Sequence, residues 1–206
     1  MQVRPVTFDG AVVHVVGRVA ARPGDRPVRV LVDGHPSTTP AVFADALVAP
    51  LRVAGRPVGR VHVDDFLRPP SLRLEQGHHD PDALLDERID VGGLNREVLR
   101  AVVGRGRYLP TLRDPGSGRS TRAAYEPLAR GAVVVVDGSL ALGRGLDVDV
   151  TVHLALQAAT KTRRTPLEEA WTLAAYSRYR REAAPERTAD VVVRLDHPDR
   201  PALVER

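Results

Sequence analysis

Five runs of apolar, largely β-branched residues constrain the fold of this 206-residue chain more than any other feature. They predict strands at Val28 to Asp33, Val58 to Val63, Ala132 to Asp137, Asp149 to Leu156 and Asp190 to Leu195. Most of them are continuously apolar rather than alternating, which is typical of strands covered on both faces. Helical patterns lie between them at Pro40 to Val53, Val91 to Val103, Ala158 to Arg164 and Pro166 to Ala184. This alternation predicts right-handed crossovers and a five-stranded parallel sheet in a three-layer α/β domain.

The segment before the first strand predicts a helix from Thr7 to Ala21. Thr7 can cap it, and Val12, Val15 and Val19 fall on one apolar face. We therefore assign residues 1–27 to an N-terminal helix and linker, and residues 1–206 to a single domain, because this length suits one core.

One segment breaks the alternation of strands and helices. Residues 105–126 contain RYLPTLRD, then the turn sequence PGSG, then RSTRAAY. This order predicts a β-hairpin with a polar turn, which would form a flap at the edge of the sheet. Residues 157–184 are expected to form a short helical lid and the helix that follows it.

Composition excludes several classes of function. With no cysteine, the chain can form no disulfide, thiolate nucleophile or cysteine-ligated zinc site. A net charge of +4, short basic runs and few aromatic residues argue against nucleic-acid binding. No apolar run approaches the roughly 20 residues that span a bilayer, so no membrane association and a cytoplasmic location are expected. The sequence leaves open whether the chain forms a homodimer.

The loop after the first strand has the layout of a phosphate-binding loop. Counted from Gly34, the pattern G-x-x-x-x-G-K-[ST] places Thr39, Pro40 and Ala41 where its second glycine, lysine and hydroxyl belong. Lys161 is the only lysine in the sequence, so no neighbour can replace the missing one. Two interpretations remain: an anion held by backbone N–H groups, or an ordinary helix start at Thr39 and Pro40. The candidate cofactor-binding residues are Gly34, His35, Pro36, Ser37, Thr38, Thr39, Arg163 and Arg164.

Carboxylates follow two of the predicted strands. Asp64 and Asp65 come after the second, and Asp137 ends the third. A carboxylate there can accept a proton from a hydroxyl nucleophile or help to hold a metal ion, whereas the alternative for the Asp64–Asp65 pair is a turn cap. His78, His79 and Asp80 are interpreted as a solvated loop, so no metal site is predicted.

Five blocks in this order resemble the uridine kinase and phosphoribulokinase group of P-loop kinases, especially its uridine-kinase-like members. They are VRVLVDG, VHVDDFLRP, GRYLPTLRDPGSGRSTRAAYEPL, VVVVDGSLAL and TADVVVRLDHPDRPAL, and the resemblance extends from Val28 to Leu203. It implies a P-loop NTPase-like fold with a β-hairpin flap and a helical lid. It also implies phosphorylation of a nucleoside 5′-hydroxyl or similar sugar alcohol, with ATP and Mg²⁺ as cofactors.

The resemblance assigns roles to individual residues. Asp64 would act as base on the acceptor hydroxyl, and Asp137 would be the second catalytic acid. The candidate substrate-binding residues are Asp65, Arg68, Tyr108, Arg113 and Asp114, and the lid arginines are Arg163 and Arg164.

The family's phosphate grip is missing, because Thr39, Pro40 and Ala41 stand where its glycine, lysine and Ser/Thr belong. We therefore expect a uridine-kinase-like fold with weak or absent ATP-dependent phosphotransfer. The alternative is a non-catalytic, nucleotide- or nucleoside-binding regulatory relative. The expected partner is a small nucleoside or phosphorylated ligand.

Overall fold

The computed structural model of the chain describes residues 2–197 and 200–205. Within these residues nine strands form, which are β1 (Gln2–Pro5), β2 (Val28–Gly34), β3 (Val58–His62), β4 (Arg107–Tyr108), β5 (Glu126–Pro127), β6 (Val133–Gly138), β7 (Val150–Ala155), β8 (Val191–Arg194) and β9 (Ala202–Glu205). Seven of them make one sheet in the order β1-β9-β8-β7-β2-β6-β3, and β4 pairs with β5.

Five adjacent strands of the large sheet, β8, β7, β2, β6 and β3, are the five predicted ones, and all of them run parallel. The prediction of a five-stranded sheet is corrected to seven strands. β9 pairs antiparallel with β8, and β1 pairs antiparallel with β9, so both additions lie at one edge. The residues of β1 had been assigned to the N-terminal helix and linker.

The helices are α1 (Phe8–Ala20), α2 (Pro40–Val53), α3 (Pro70–Arg73), α4 (Pro81–Asp86), α5 (Val91–Leu94), α6 (Arg100–Arg105), α7 (Ala158–Arg164), α8 (Thr172–Glu182) and α9 (Pro185–Thr188). A π-helical segment, Asn95–Leu99, joins α5 to α6. Thr7 caps α1 as predicted, because its Oγ1 accepts a hydrogen bond of 3.0 Å from the Gly10 N–H. None of the helices in the described part of the chain has the length and apolar character that crossing a bilayer requires.

Apolar side chains fill both faces of the sheet. One core layer packs α1 and α2 against the sheet through residues such as Val15, Phe43 and Leu47. The other layer contains Phe66, Leu99 and Tyr176 from the helices and turns of the opposite face. This arrangement confirms the three-layer architecture, and it explains why the central strands are continuously apolar.

The flap begins and ends in the short β4–β5 pair, and an isolated bridge joins Arg113 to Ser120 farther along it. Its middle part is tied to the turn after β3, because the Asp65 carbonyl accepts hydrogen bonds from the N–H groups of Leu112 and Arg113. Gly116 and Ser117 at the flap tip line the same pocket as Arg88. Helices α7 and α8 occupy the predicted lid region.

Candidate functional site

A cleft of about 470 Å³ lies at the carboxyl ends of β2, β3 and β6. Ligands of open parallel sheets bind at this edge. The walls come from the loop after β2, the start of α2, the turn after β3, the loop after β6 and the lid. A second chamber of about 570 Å³ adjoins it and extends to the flap tip at Gly116 and Ser117. The two chambers share Leu84, Arg88 and Trp171.

The loop after β2 uses its own N–H groups to form a 3-10 turn, Pro36–Thr38. The Thr38 N–H donates to the His35 carbonyl, and the Thr39 N–H donates to the Pro36 carbonyl, at 2.8 and 2.9 Å. The Ser37 N–H donates to His35 Nδ1 at 3.2 Å. Pro36 and Pro40 have no N–H to offer. The N–H groups that remain to bind an anion are therefore those of the first turn of α2, where Ala41 and Val42 line the cleft.

Tight packing surrounds this loop. A Cβ on Gly34 would lie 2.5 Å from Thr38 Oγ1 and 2.9 Å from the Leu154 side chain, so the position requires glycine. Thr39 adopts a φ of 50°, in the left-handed region that a β-branched residue rarely adopts, and its side chain makes no capping bond. The helix start predicted at Thr39 and Pro40 is present, but Thr39 is a strained N-cap.

His35 lies beneath the lid. Its ring packs edge-to-face on Tyr176 with centroids 4.5 Å apart, and Lys161 lies over the same tyrosine ring at 5.4 Å. Burial, helped by the positive charge of Lys161, lowers the pKa of His35 to about 4. The imidazole is therefore neutral at pH 7, and its Nδ1 can accept the Ser37 hydrogen bond.

This His35 environment predicts a pH-dependent stability. Between pH 6.5 and about 4 the unfolded chain protonates this histidine and the folded chain does not, so the free energy of unfolding falls as the pH is lowered. We expect His35→Asn to reduce the pH dependence of the free energy of unfolding by the contribution of up to about one bound proton. Asparagine can accept the hydrogen bond from Ser37 but does not titrate. Urea unfolding of both proteins at pH 7, 5.5 and 4.5 measures the difference. Equal slopes would contradict the assignment.

Asp64 lies in the 3-10 turn after β3 and borders the cleft. Its carboxylate forms an ion pair with Arg88, whose other terminal nitrogen donates to the Ser139 carbonyl at 3.3 Å. Arg88 therefore connects the turn after β3 to the loop after β6. Asp65 is half-buried, and desolvation, together with nearby carboxylates, raises the pKa of its side chain.

Asp137 is buried at the end of β6 and also borders the cleft. Its Oδ1 lies 2.8 Å from an Arg60 guanidinium nitrogen and 2.8 Å from His62 Nδ1. The interaction with this carboxylate raises the pKa of His62. Two neighbouring side chains of β3 thus already engage the acid expected to serve catalysis.

Four predicted substrate-binding residues have structural partners. The Tyr108 ring is buried against Gly59, and its hydroxyl donates to Glu126 at 2.7 Å. Asp114 accepts from the N–H and hydroxyl of Ser117 within the flap turn. Arg113 reaches the Gly118 carbonyl at 3.5 Å in that same turn. Arg68 pairs with Glu87 and lines a groove outside the cleft.

The two lid arginines do not line the cleft either. Arg164 donates to the carbonyls of Leu195 and Asp196 at 3.0 and 2.8 Å, which places it at the end of β8. Arg163 is exposed on α7. The side chain of α7 that lies near the loop is instead Lys161.

Several residues of the cleft were missed from the sequence. Arg88 follows α4 in an arginine-rich chain and has no motif that distinguishes it, and Tyr176 and Trp171 read as ordinary lid residues. The described residues contain no group of three histidine, aspartate or glutamate side chains placed to hold a metal ion. Asp80, the acid of the His78–Asp80 loop, caps α4 by accepting from the Ala83 N–H at 2.6 Å.

A buried polar network behind the cleft was also missed. Asp33, at the end of β2, is fully buried. It accepts hydrogen bonds from the Ala141 N–H at 2.9 Å and the Tyr179 hydroxyl at 2.9 Å, and its Oδ2 lies 2.8 Å from His153 Nδ1. His153 is buried as well, and no motif in the sequence indicates that it contacts Asp33.

No protein-family model matches the sequence, and no curated protein sequence matches it. Solved structures do match over most of its length. A possible uridine kinase from Bacillus stearothermophilus has a TM-score of 0.72 and 18% identity, with 90% of this chain and 98% of that chain covered. A candidate fructose transport system kinase from Silicibacter sp. TM1040 has a TM-score of 0.59 and 20% identity, over 89% and 95%.

The YGR205w protein matches with a TM-score of 0.55 and 8% identity, over 95% of this chain and 99% of that one. At sequence identities this low, the structural likeness establishes the architecture alone. Together with the parallel sheet and the loop after β2, these likenesses show that the chain has a uridine kinase-like P-loop kinase fold.

Proposed function

We propose that the cleft binds a small nucleoside-like or sugar-like ligand and that ATP-dependent phosphotransfer by this chain is weak or absent. The observation that carries the proposal is the loop after β2, whose Ser37, Thr38 and Thr39 N–H groups all serve its own turn. A phosphate cradle needs such N–H groups to point at the ligand.

The other parts of an ATP site fit poorly too. Pro40 stands where a lysine would contact the β- and γ-phosphates, and Ala41 stands where a hydroxyl would bind magnesium. Asp137 is engaged by Arg60 and His62. Removing one preorganised group of this kind typically costs about 3 to 4 kcal/mol of transition-state stabilisation. The residues present therefore do not fit Mg²⁺-ATP, and no catalytic step is assigned to it.

The acceptor side of the cleft is better suited to a ligand. Asp64 and Arg88 supply charged hydrogen-bonding groups beside the apolar surfaces of Leu84 and Trp171. Each chamber falls within the range of about 300 to 1,000 Å³ that small-molecule sites occupy. The names of two structural neighbours, a uridine kinase and a fructose transport system kinase, suggest nucleosides and sugars as the compounds to test.

Thermal unfolding tests both halves of the proposal. Uridine, cytidine, fructose and Mg²⁺-ATP would each be added separately to the full chain. We expect at least one of the first three to raise the melting temperature, because a ligand at 100 times its dissociation constant stabilises by about 2.7 kcal/mol. Mg²⁺-ATP incubated with any of these three compounds should give no phosphorylated product. If uridine, cytidine and fructose all leave the melting temperature unchanged, the assignment of the cleft to such ligands is wrong. Micromolar binding of Mg²⁺-ATP together with phosphoryl transfer would show that kinase activity is retained.

A pair of arginine variants tests which surface binds the ligand. We expect Arg88→Gln to weaken binding of the stabilising compound at least tenfold, because it removes a charged donor from the wall shared by both chambers. Arg68→Gln is the matched control, since Arg68 also pairs with a carboxylate but lines a different groove. Calorimetry gives both dissociation constants. Equal losses in the two variants would place the ligand elsewhere.

A further inference from the structure

Four arginines converge on a groove of about 420 Å³ at the C-terminal ends of α8 and α9. Arg180 and Arg181 come from α8, Arg187 from α9 and Arg194 from β8. The same groove is lined by Val192 and Val204, which β8 and β9 place side by side in register. It therefore combines positive walls with an aliphatic surface.

The positive charge of the groove is largely uncompensated. Glu186 is its one acidic lining residue, and it pairs with Arg180 at 3.1 Å. Across residues 2–197 and 200–205, no carboxylate lies within ion-pair distance of Arg181, Arg187 or Arg194. Arg181 and Arg187 also lie in the last turns of their helices, where the helix dipole favours cations. The dipole does not account for Arg194, which extends from a strand into the same groove.

We propose that this groove is a second ligand site, which binds a small molecule that carries two or more phosphoryl groups. Arginine guanidinium groups bind phosphoryl oxygens bidentately, and three uncompensated ones match a ligand with several negative charges. An uncharged part of the ligand would lie against Val192 and Val204. The volume falls within the range of small-molecule pockets.

Nucleic acid fits this groove less well. None of the residues that line it is aromatic, so it offers no ring on which an unpaired base could stack. The charges surround a concave pocket that suits a compact ligand. Both observations favour a compact polyanion over a strand.

The groove is separate from the cleft described above. The two have no lining residue in common. Helix α8 contributes to both, with Thr172 and Tyr176 at the cleft and Arg180 and Arg181 at the groove. A ligand in the groove would therefore contact the same helix that covers His35.

Calorimetric titration with inorganic tripolyphosphate at fixed ionic strength tests the proposal. We expect the wild-type chain to bind it and the double variant Arg181→Gln/Arg187→Gln to bind at least tenfold more weakly. Both residues are exposed, so folding should be unaffected. The control is Arg52→Gln/Arg105→Gln, which removes the same charge from two other exposed positions in the last turns of helices. It should bind as the wild type does.

Three results would overturn the proposal. The first is no binding by the wild-type chain. The second is an equal loss in both double variants, which would show that net charge alone attracts the anion. The third is a single-stranded 20-nucleotide DNA that binds more tightly than tripolyphosphate and is weakened by the groove variant alone, because nucleic acid would then be the partner. Arg194→Gln supplies an independent variant on the sheet side, and its binding should also weaken.

Discussion

Asp33→Ala is expected to lower the free energy of unfolding by about 3 to 5 kcal/mol, because three buried groups lose the acceptor that they share. The carboxylate is fully buried and is contacted by the Ala141 N–H, the Tyr179 hydroxyl and His153. Alanine would leave these three groups without their acceptor in the core, and an unsatisfied buried donor costs about 1 to 3 kcal/mol. Since typical domains are stable by about 5 to 15 kcal/mol, this is a large fraction of the total.

Urea unfolding measures the Asp33 effect against two comparisons. Tyr179→Phe keeps the ring but removes a hydroxyl that donates to Asp33 and accepts from the Leu142 N–H, so we expect a smaller loss of about 1 to 3 kcal/mol. Asp45→Ala removes an exposed aspartate that pairs with Arg60, and it should cost at most about 1 kcal/mol. A loss below about 1 kcal/mol for Asp33→Ala would show that the network contributes little to stability.

The triple variant Thr39→Gly, Pro40→Lys, Ala41→Thr is expected to bind Mg²⁺-ATP at least a hundredfold more tightly than the natural chain. Glycine suits the left-handed conformation at position 39, where φ is 50°. Lysine adds a charged donor and restores the N–H that Pro40 lacks, and threonine adds the magnesium-binding hydroxyl. A hundredfold change corresponds to about 2.7 kcal/mol, within the range of two charge-assisted contacts.

The matched control for this variant is Thr39→Gly, Pro40→Met, Ala41→Thr. Methionine is unbranched like lysine and restores the N–H, but it has no charge. Calorimetry with Mg²⁺-ATP compares the two triple variants with the wild-type chain. If the lysine and methionine variants bind equally, the missing charge is not what limits the loop. Tight Mg²⁺-ATP binding by the wild-type chain that persists in the Arg181→Gln/Arg187→Gln background would contradict the proposed loss of phosphate binding at the cleft.

The central sheet could be predicted from the sequence because burial on both faces demands continuously apolar strands. The two edge strands could not. Gln2–Pro5 and Ala202–Glu205 are four residues each and contain polar residues. They pair with each other across almost the whole chain, and Ala202–Glu205 also pairs with the nearby β8. Strands this short have little local signal, since their pairing partners define them.

The candidate site was predictable in position and less so in detail. Asp64 and Asp137 lie beside the cleft because the carboxyl ends of parallel strands share one edge. Tyr108 and Arg164 lie elsewhere, because Tyr108 bonds to Glu126 across the β4–β5 pair and Arg164 bonds to the carbonyls at the end of β8. Arg88 could not be singled out, since its pairing with Asp64 follows from the path of the chain after α4.

Lys161 gives this protein a single side chain at which amine-reactive reagents can attach a label. It is the only side-chain amine in the sequence, and burial, reinforced by nearby Arg180, lowers its pKa. A lowered pKa enlarges the unprotonated fraction that reacts with acylating reagents. Because the amine lies over Tyr176 beside His35, a single fluorophore or isotope label attached there would report directly on whether the lid and the loop remain in contact.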